Sequence, residues 1–382
     1  MHSINKTSAI VAGVAGSAIG AIIYNLLPMF LGMAQEFRGL DNFDIGILGF
    51  VFFLGFNLAT FSAFFWIRKV DWQRASLLFL PVASLALYGA AWTNSFWVLN
   101  GAIFITGGCL ASVYGIAATL LGDTSEPARW YGVKIGAETV LGAVLLILLP
   151  IYVVDGYGFK GFLISVSIVV MLFVPFMFGM PSAIETEEEP SAPNADSYPN
   201  TAIYMMLVAT FLWFCGQTVL WSFIERIGNG SGFSNDQTGL ALALSLCFAT
   251  AGSLLAAWLN NKIGTLKPFF IASSLLLLVL PVFLTELSFI TYVIGISLMM
   301  LGVGMGIPYC YAHVAKLDGD GRFTVLVVPA VGMGAMLAPL LAGWLSDSGS
   351  FTGLIVSSAV LTAVAMALAF LSGRFSVDID SI

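Results

Sequence analysis

The sequence predicts an all-α membrane protein whose twelve transmembrane helices form two pseudo-symmetric six-helix bundles. Three observations predict this fold: an apolar composition, twelve apolar runs of helical length and an internal repeat. Of the 382 residues, 59% are hydrophobic and 9% are charged, whereas soluble domains carry about 25% charged residues. A soluble fold of this size must cover its surface largely with polar groups, and a lipid bilayer removes that requirement.

The apolar runs have the length that a membrane-spanning helix needs. A hydrocarbon core of about 30 Å is crossed by about 20 helical residues. Strands of a membrane barrel would be about 10 residues long with alternating polarity, whereas these runs are longer and apolar on all sides. The predicted helices span residues 8–34, 43–67, 75–93, 96–121, 130–153, 159–180, 200–226, 236–259, 267–285, 288–314, 323–345 and 350–372.

An internal repeat relates the first six runs to the last six. Several residues recur 193 positions apart, at equivalent points of the two hydropathy patterns. These pairs are Gly46 with Gly239, Lys69 with Lys262, Arg74 with Lys267, and Arg129 with Arg322. Such a repeat, with both halves in the same order, is a known arrangement of membrane transport folds. We therefore predict an N-terminal bundle at 1–180 and a C-terminal bundle at 200–382.

The segment 181–199 between the bundles differs in composition from the rest of the chain. It is rich in Pro, Ser, Ala and acidic residues, and it lacks aromatic residues before Tyr198. Such a composition does not bury enough apolar surface to fold, so we expect a flexible linker.

The basic residues predict the orientation. If the N-terminus is cytoplasmic, eleven of the fourteen Lys and Arg residues fall on the inside, and Arg38, Lys160 and Arg226 fall on the outside. Because cytoplasmic loops carry the excess of Lys and Arg, both termini and the linker are predicted to be cytoplasmic. We expect a multi-pass protein of a bacterial-type inner membrane, with the lipid bilayer as its main partner.

Basic loops carry a resemblance to a known family. The segment from Asn261 to Lys267 retains Lys262, Gly264 and Lys267 of a G-x-x-x-D-R-x-G-R-R/K pattern. The corresponding loop of the first half supplies Lys69 and Arg74. These loops, the twelve runs and the central linker resemble the major facilitator superfamily over nearly the whole chain.

The resemblance implies a transporter that works by alternating access, with gating functions for residues of its cytoplasmic loops. These are Lys69, Arg74, Arg129, Lys262, Gly264, Lys267 and Arg322. The chain departs from the family pattern at Arg68, where the family usually has Asp, and at Asp71, where it has Gly. Helix four has Ile103 where many proton-coupled members have Arg, and helix five lacks the Gly-Pro of drug antiporters.

Glu138 is the candidate for proton coupling. It is the ionisable residue that lies well inside a predicted span, and intramembrane ionisable residues usually have a function. A desolvated carboxyl group holds a proton more readily, which suits a proton carrier. The alternative is a structural i,i+4 ion pair with Lys134. We expect Lys134 to snorkel to the interface, with Glu138 one turn deeper.

Polar and aromatic residues inside other runs are candidates for solute binding. Trp213, Gln217 and Trp221 follow each other at i, i+4 and i+8, so they share one helix face. Such a stripe suits an organic solute; the alternative is helix packing with an interfacial Trp at the outer end. The resemblance implies that helices one, four, seven and ten line the cavity. The further candidates are Tyr24, Asn25, Asn57, Tyr114 and Tyr309.

We therefore predict a secondary active transporter for a small organic solute, and we expect it to be coupled to protons. A uniporter, an efflux carrier for an amphipathic compound and a non-transporting receptor or assembly factor on the same fold are the alternatives. The sequence shows no enzyme constellation and no nucleotide-binding loop, and its two His residues do not suffice for a usual zinc site. We expect no cofactor, no metal and no nucleic-acid partner, and a monomer.

Overall fold

The computed structural model describes residues 4–380, except 125–126, 182–199, 261, 319–322 and 347–350. All regular structure among these residues is helical. The chain divides into two compact units, Met1–Glu187 and Glu188–Ile382. The predicted linker at 181–199 lies, apart from Pro181, outside the described residues. The three-part domain division therefore stays a prediction.

Among the described residues, six long helices belong to the first unit and six to the second. In the first unit, α1 consists of three consecutive segments, Thr7–Gly20, Ile22–Asn25 and Leu27–Arg38. It is followed by α2 (Asn42–Trp66), α3 (Trp72–Trp92), α4 (Phe96–Gly122), α5 (Pro127–Leu149) and α6 (Asp155–Leu172). The second unit contains α7 (Asn200–Gly230), α8 (Asn235–Leu259), α9 (Leu266–Val279), α10 (Phe289–Leu317), α11 (Val327–Ser346) and α12 (Thr352–Asp380). The predicted twelve-helix fold is confirmed.

The helices α5 and α6 follow each other without an intervening loop. Together they form an apolar stretch of 51 residues, Arg129–Gly179. A straight helix of that length would measure about 76 Å, more than twice the hydrocarbon core. The stretch contains a π-helical turn at Pro150–Val154 and a non-helical residue, Gly158, with φ of +55°. Since φ is positive there, glycine is the residue that permits the break.

Proline explains the interruption of α1. Pro28 stands at the start of its third segment, and Leu26 just before that segment has non-helical φ and ψ of −90° and 2°. Proline has no N–H to donate to the carbonyl of Tyr24, four residues earlier, and its ring crowds that carbonyl. The helix is therefore irregular where Tyr24 and Asn25 lie.

Reciprocal glycine contacts bring α2 and α4 together. A Cβ atom added to Gly55 would overlap the carbonyl oxygen of Phe104 on α4, and one added to Gly107 would overlap the carbonyl oxygen of Phe52 on α2. Each glycine thus faces the backbone three residues before the other. Small residues permit such close approach of membrane helices.

The second unit repeats this contact between α8 and α10. Gly252 faces the carbonyl oxygen of Leu301, and Gly304 faces that of Ala249. Relative to the first unit, both glycines stand four residues further along their helices, which is about one helical turn. The two bundles therefore share the same glycine-mediated helix contact, which lies about one turn further along the helices in the second unit. This repeat supports the pseudo-symmetry that the sequence predicts.

Candidate functional site

The first unit contains a buried ion pair on α5. Lys134 Nζ lies 2.8 Å from Glu138 Oε1, and the two side chains are only 7% and 13% exposed. Lys134 also donates a hydrogen bond of 2.7 Å to the Tyr114 hydroxyl on α4. Its ammonium group lies 4.1 Å from the centre of the Tyr114 ring. Two opposite charges and a phenol are thus brought together inside a membrane bundle.

Two polar residues of α1 complete this cluster. The Ser17 hydroxyl donates to Glu138 Oε1, and Asn25 Nδ2 donates to the Glu138 carbonyl oxygen over 2.8 Å. Asn25 lies where Pro28 interrupts α1, so the irregular turn presents an amide group to α5. We call Ser17, Asn25, Tyr114, Lys134 and Glu138 the α1–α4–α5 cluster. Charges at membrane depth are costly unless paired, and here each charge has an opposite partner and a hydroxyl partner.

The expectation that Lys134 snorkels to the interface was wrong. Its side chain is buried, because the Tyr114 hydroxyl and the Glu138 carboxylate both lie within hydrogen-bonding distance. The i,i+4 pairing with Glu138 is present, as the structural alternative expected. Sequence reasoning did not place Ser17 in the site.

The other candidates of the first unit lie on neighbouring surfaces. The Tyr24 ring meets Phe53 of α2 edge to face, with ring centres 6.1 Å apart. The Tyr114 ring lies 5.9 Å from that of Phe56. Asn57, also on α2, is buried, with 5% of its surface exposed. Aromatic side chains of α2 thus support the two tyrosines.

In the second unit, Trp213, Gln217 and Trp221 are all buried along α7. Gln217 Nε2 donates to Thr362 Oγ1 on α12 over 3.1 Å. The Gln217 Oε1 and Trp213 Nε1 atoms have no hydrogen-bond partner among the described residues. Buried polar atoms normally have partners, so these two atoms are unsatisfied within the second unit.

Part of this stripe also packs. The Trp213 ring lies 5.6 Å from the Phe269 ring of α9. It also fills the space beside Gly306, where an added Cβ would lie 2.6 Å from the indole. Tyr309 of α10 donates its hydroxyl to the carbonyl oxygens of Ala256, over 3.2 Å, and Asn260, over 2.9 Å, at the end of α8. That hydroxyl therefore caps a helix, which leaves its ring as the part that can contact a solute.

Comparison with known proteins shows which family model and which structures this chain is similar to. Residues 206–376 match the family model described as Major Facilitator Superfamily. The structure of a nucleoside transporter NupG variant aligns with a TM-score of 0.75 at 11% identity, over 96% of this chain and 98% of that one. A D-xylose–proton symporter gives a TM-score of 0.75 at 11% identity, over 96% and 97% of the two chains. The second half of the chain thus matches the superfamily model, and the chain as a whole has a fold similar to these transporters.

A third superfamily structure is similar over an equally long range. It is a bacterial homologue of the human lysosomal transporter Spinster, in an inward-facing and unoccupied conformation. It aligns with a TM-score of 0.70 at 14% identity over 98% of this chain and 97% of that one. No curated protein matches the sequence significantly. At such identities the likeness concerns the fold.

The loop residues that the superfamily resemblance singled out are mostly exposed. Lys69 and Lys267 are exposed. At the start of α3, Arg74 Nε lies 3.4 Å from Asp71 Oδ2. Lys262 lies over the Trp258 ring at 4.4 Å, and Arg129 lies over the Trp130 ring at 4.9 Å. Gly264 has φ of +79°, a conformation that glycine adopts readily. Arg322 lies outside the described residues.

Sequence reasoning missed an ion pair at this end of the first unit. Arg68, which stands where the superfamily usually has Asp, donates through both terminal nitrogens to the Asp123 carboxylate at the end of α4. The Nη2–Oδ1 distance is 2.9 Å. The hydrogen bond to Asp123, together with its negative charge, raises the pKa of Arg68. Arg68, at a position where the superfamily usually has Asp, thus pairs with an acidic residue of the same unit.

Proposed function

We propose that this protein is a secondary transporter that moves a small organic solute by alternating access and is driven by protons. The buried Lys134–Glu138 pair, tied to α1 and α4 by hydrogen bonds, is the observation that carries the proposal. A multi-pass protein of a bacterial-type inner membrane, with both termini cytoplasmic and a single subunit as the working unit, is part of the same proposal.

Glu138 has the properties of a proton carrier. It lies in a membrane span, and 13% of its side chain is accessible. Proton transfer to this carboxylate removes its charge and weakens its attraction to Lys134. The cluster joins three helices, so this change alters contacts between α1, α4 and α5 together. One of the similar structures is described as a proton symporter, which supports coupling to protons here.

Each unit contains polar groups that we propose as solute contacts. In the first unit these are Asn25 and Tyr114, with Tyr24 and Asn57 nearby; in the second they are Gln217 and Trp213, with Trp221 and the Tyr309 ring. The acceptor at Gln217 Oε1 and the donor at Trp213 Nε1 favour a solute that carries both hydroxyl or amide donors and acceptors. The nucleoside and D-xylose transported by the similar proteins have such groups.

Uptake into proteoliposomes tests this proposal. The purified protein is reconstituted, and labelled nucleosides, pentoses and small organic acids are offered with and without an inward proton gradient. We expect gradient-driven accumulation of at least one solute. The Glu138→Gln variant is expected to lose accumulation while it retains counterflow exchange, because solute binding and conformational change do not require the proton. Unchanged gradient-driven uptake in that variant would remove Glu138 from the mechanism.

Uniport is the second candidate function. It is favoured by the fact that Lys134 and Glu138 satisfy each other, as in a purely structural i,i+4 pair. In that case the proton gradient would not change accumulation in the wild-type protein, and Glu138→Gln would only lower its stability. The same reconstitution thus separates the two functions.

A further inference from the structure

The charge balance of the α1–α4–α5 cluster limits what it binds. Lys134 and Glu138 carry opposite charges, so the cluster is neutral as a whole. Its other members, Ser17, Asn25 and Tyr114, are uncharged polar groups. Any proton that binds to Glu138 therefore leaves one uncompensated positive charge, on Lys134, within the membrane bundle.

When Glu138 takes up a proton, it loses its negative charge. The described groups that contact Glu138 do not supply another negative charge. From α1, the described contacts are the Ser17 hydroxyl and the Asn25 amide. From α4, the contact is the Tyr114 hydroxyl, through Lys134. Tyr131 lies about one turn before Lys134 on α5, and its hydroxyl donates to the carbonyl oxygen of Ala118 over 2.9 Å.

The donors around Lys134 are arranged to receive an anion. Two of the three ammonium N–H groups have partners among the described contacts, Tyr114 and Glu138. The Tyr114 oxygen accepts from Lys134, and no acceptor for its own O–H is found among those contacts. The ammonium nitrogen and the phenol oxygen lie 2.7 Å apart. Two donors at this separation match the two oxygens of one carboxylate.

An unpaired charge buried in a bundle is strongly unfavourable. An anion beside Lys134 restores neutrality after Glu138 takes up a proton. We propose that Lys134 and Tyr114 form the binding site for the carboxylate of a small organic acid, which is loaded together with a proton on Glu138. This inference rests on the proposed function and narrows its solute to a monovalent organic anion. In the loaded state the cluster is again neutral.

This coupling has a thermodynamic signature. Since one proton accompanies each anion, the apparent affinity for the anion falls about tenfold for each pH unit at which Glu138 is ionised. An uncharged solute of the same shape would show no such dependence, because it leaves the charge on Lys134 uncompensated in the protonated state.

Thermal stabilisation of the purified wild-type protein is the first test. Benzoate, lactate and acetate are titrated between about pH 5.5 and pH 8.5, where all three stay ionised, with benzamide as the uncharged match for benzoate. We expect at least one carboxylate to stabilise the protein, with an affinity that falls about tenfold per pH unit. If no carboxylate stabilises it, or if the affinity does not vary with pH, the inference is overturned.

Two variants test whether Glu138 causes the pH dependence and whether Lys134 binds the anion. Glu138→Gln imitates the protonated carboxyl, so anion affinity is expected to become independent of pH. Lys134→Met is expected to lower anion affinity at least tenfold at every pH. The matched controls are Glu36→Gln and Lys160→Met, both at exposed positions of the first unit, and they are expected to bind anions like the wild type. A pH dependence that persists in Glu138→Gln would contradict the inference.

Failure of this inference is distinguishable from failure of the proposed function. Suppose that proton-driven uptake of a sugar or nucleoside is lost in Glu138→Gln while no carboxylate binds the wild type. Then the anion site is wrong and the proton-coupled function stands. If gradient-driven uptake of every transported solute is intact in Glu138→Gln, the proposed role of Glu138 falls, and the anion coupling falls with it.

Discussion

The two units share their helix packing and differ in their chemistry. Reciprocal glycines join α2 to α4 in the first unit and α8 to α10 in the second. The helix at the fifth position of the first unit, α5, carries the Lys134–Glu138 pair, whereas its counterpart α11 contains no ionisable residue in Val327–Ser346. The two units thus share this helix packing, whereas the Lys134–Glu138 pair has no counterpart within Val327–Ser346.

The first helices of the two units show the same difference. α1 is interrupted next to Pro28 and presents Asn25 to α5. α7 is continuous over 31 residues, Asn200–Gly230, and its amide Gln217 pairs with Thr362 of α12. A broken helix exposes polar groups that a regular helix would use internally. The amide of α1 thus contacts the helix that carries the ion pair, whereas the amide of α7 contacts an uncharged hydroxyl.

The largest expected effect follows from removal of one member of the ion pair. Lys134→Met leaves Glu138 buried without its cation, so we expect a loss of about 3–5 kcal/mol of stability at neutral pH. The double variant Lys134→Met with Glu138→Gln removes both charges and is expected to recover much of this loss. Thermal or denaturant unfolding in detergent measures both. If the loss in the double variant equals the sum of the losses in Lys134→Met and Glu138→Gln measured separately, the pair contributes no coupling.

The glycine contacts test whether the shared scaffold is equally important in both units. Gly107→Ala and Gly304→Ala each place a Cβ against a backbone carbonyl of the neighbouring helix, so we expect each to cost about 1–3 kcal/mol. Gly101→Ala, on α4 in open space, is the control and should be neutral or slightly stabilising. If one of the two variants behaves like Gly101→Ala, the helix crossing is not equivalent in the two units.

A matched pair of hydroxyl deletions compares the chemistry directly. Ser17 and Thr210 stand 193 positions apart, on α1 and α7. Ser17 donates to the Glu138 carboxylate, whereas Thr210 donates to the Met206 carbonyl of its own helix, over 2.8 Å. Since hydrogen bonds to charged groups are stronger, Ser17→Ala should cost about 1.5 kcal/mol and Thr210→Ala less than about 1 kcal/mol. Unfolding curves of the two variants measure both stability losses. A larger loss in Thr210→Ala than in Ser17→Ala would contradict this comparison.

The smallest effect is expected at the Arg68–Asp123 pair. The two side chains are 41% and 22% exposed, so water and salt screen their attraction. We expect Arg68→Gln to cost about 0.2–1 kcal/mol, and an exchange of the two charges, Arg68→Asp with Asp123→Arg, to recover part of it. Transport rates of the same variants would show whether this pair affects conformational exchange. A loss above 2 kcal/mol would indicate a role beyond a surface ion pair.

Much of the fold was predictable because a membrane helix is specified locally. Each span must satisfy its own backbone hydrogen bonds in lipid and must be apolar over about 20 residues, and both properties are visible along the sequence. The predicted runs 43–67 and 96–121 therefore differ by only one residue at either end from Asn42–Trp66 and Phe96–Gly122. The pairing of Glu138 with Lys134 was similarly visible in their four-residue spacing.

The composition of the site was not predictable in the same way, because contacts between helices depend on their rotation and register. Hydropathy assigned Lys134 to the interface, and only the packed bundle places the Tyr114 hydroxyl where it keeps that ammonium group buried. Likewise, only the structure shows that Ser17 faces Glu138 and that Tyr309 caps α8. The sequence determined how many helices cross the membrane and in what order. The tertiary structure decided which polar side chains meet, since those contacts join residues more than a hundred positions apart or on separate helices.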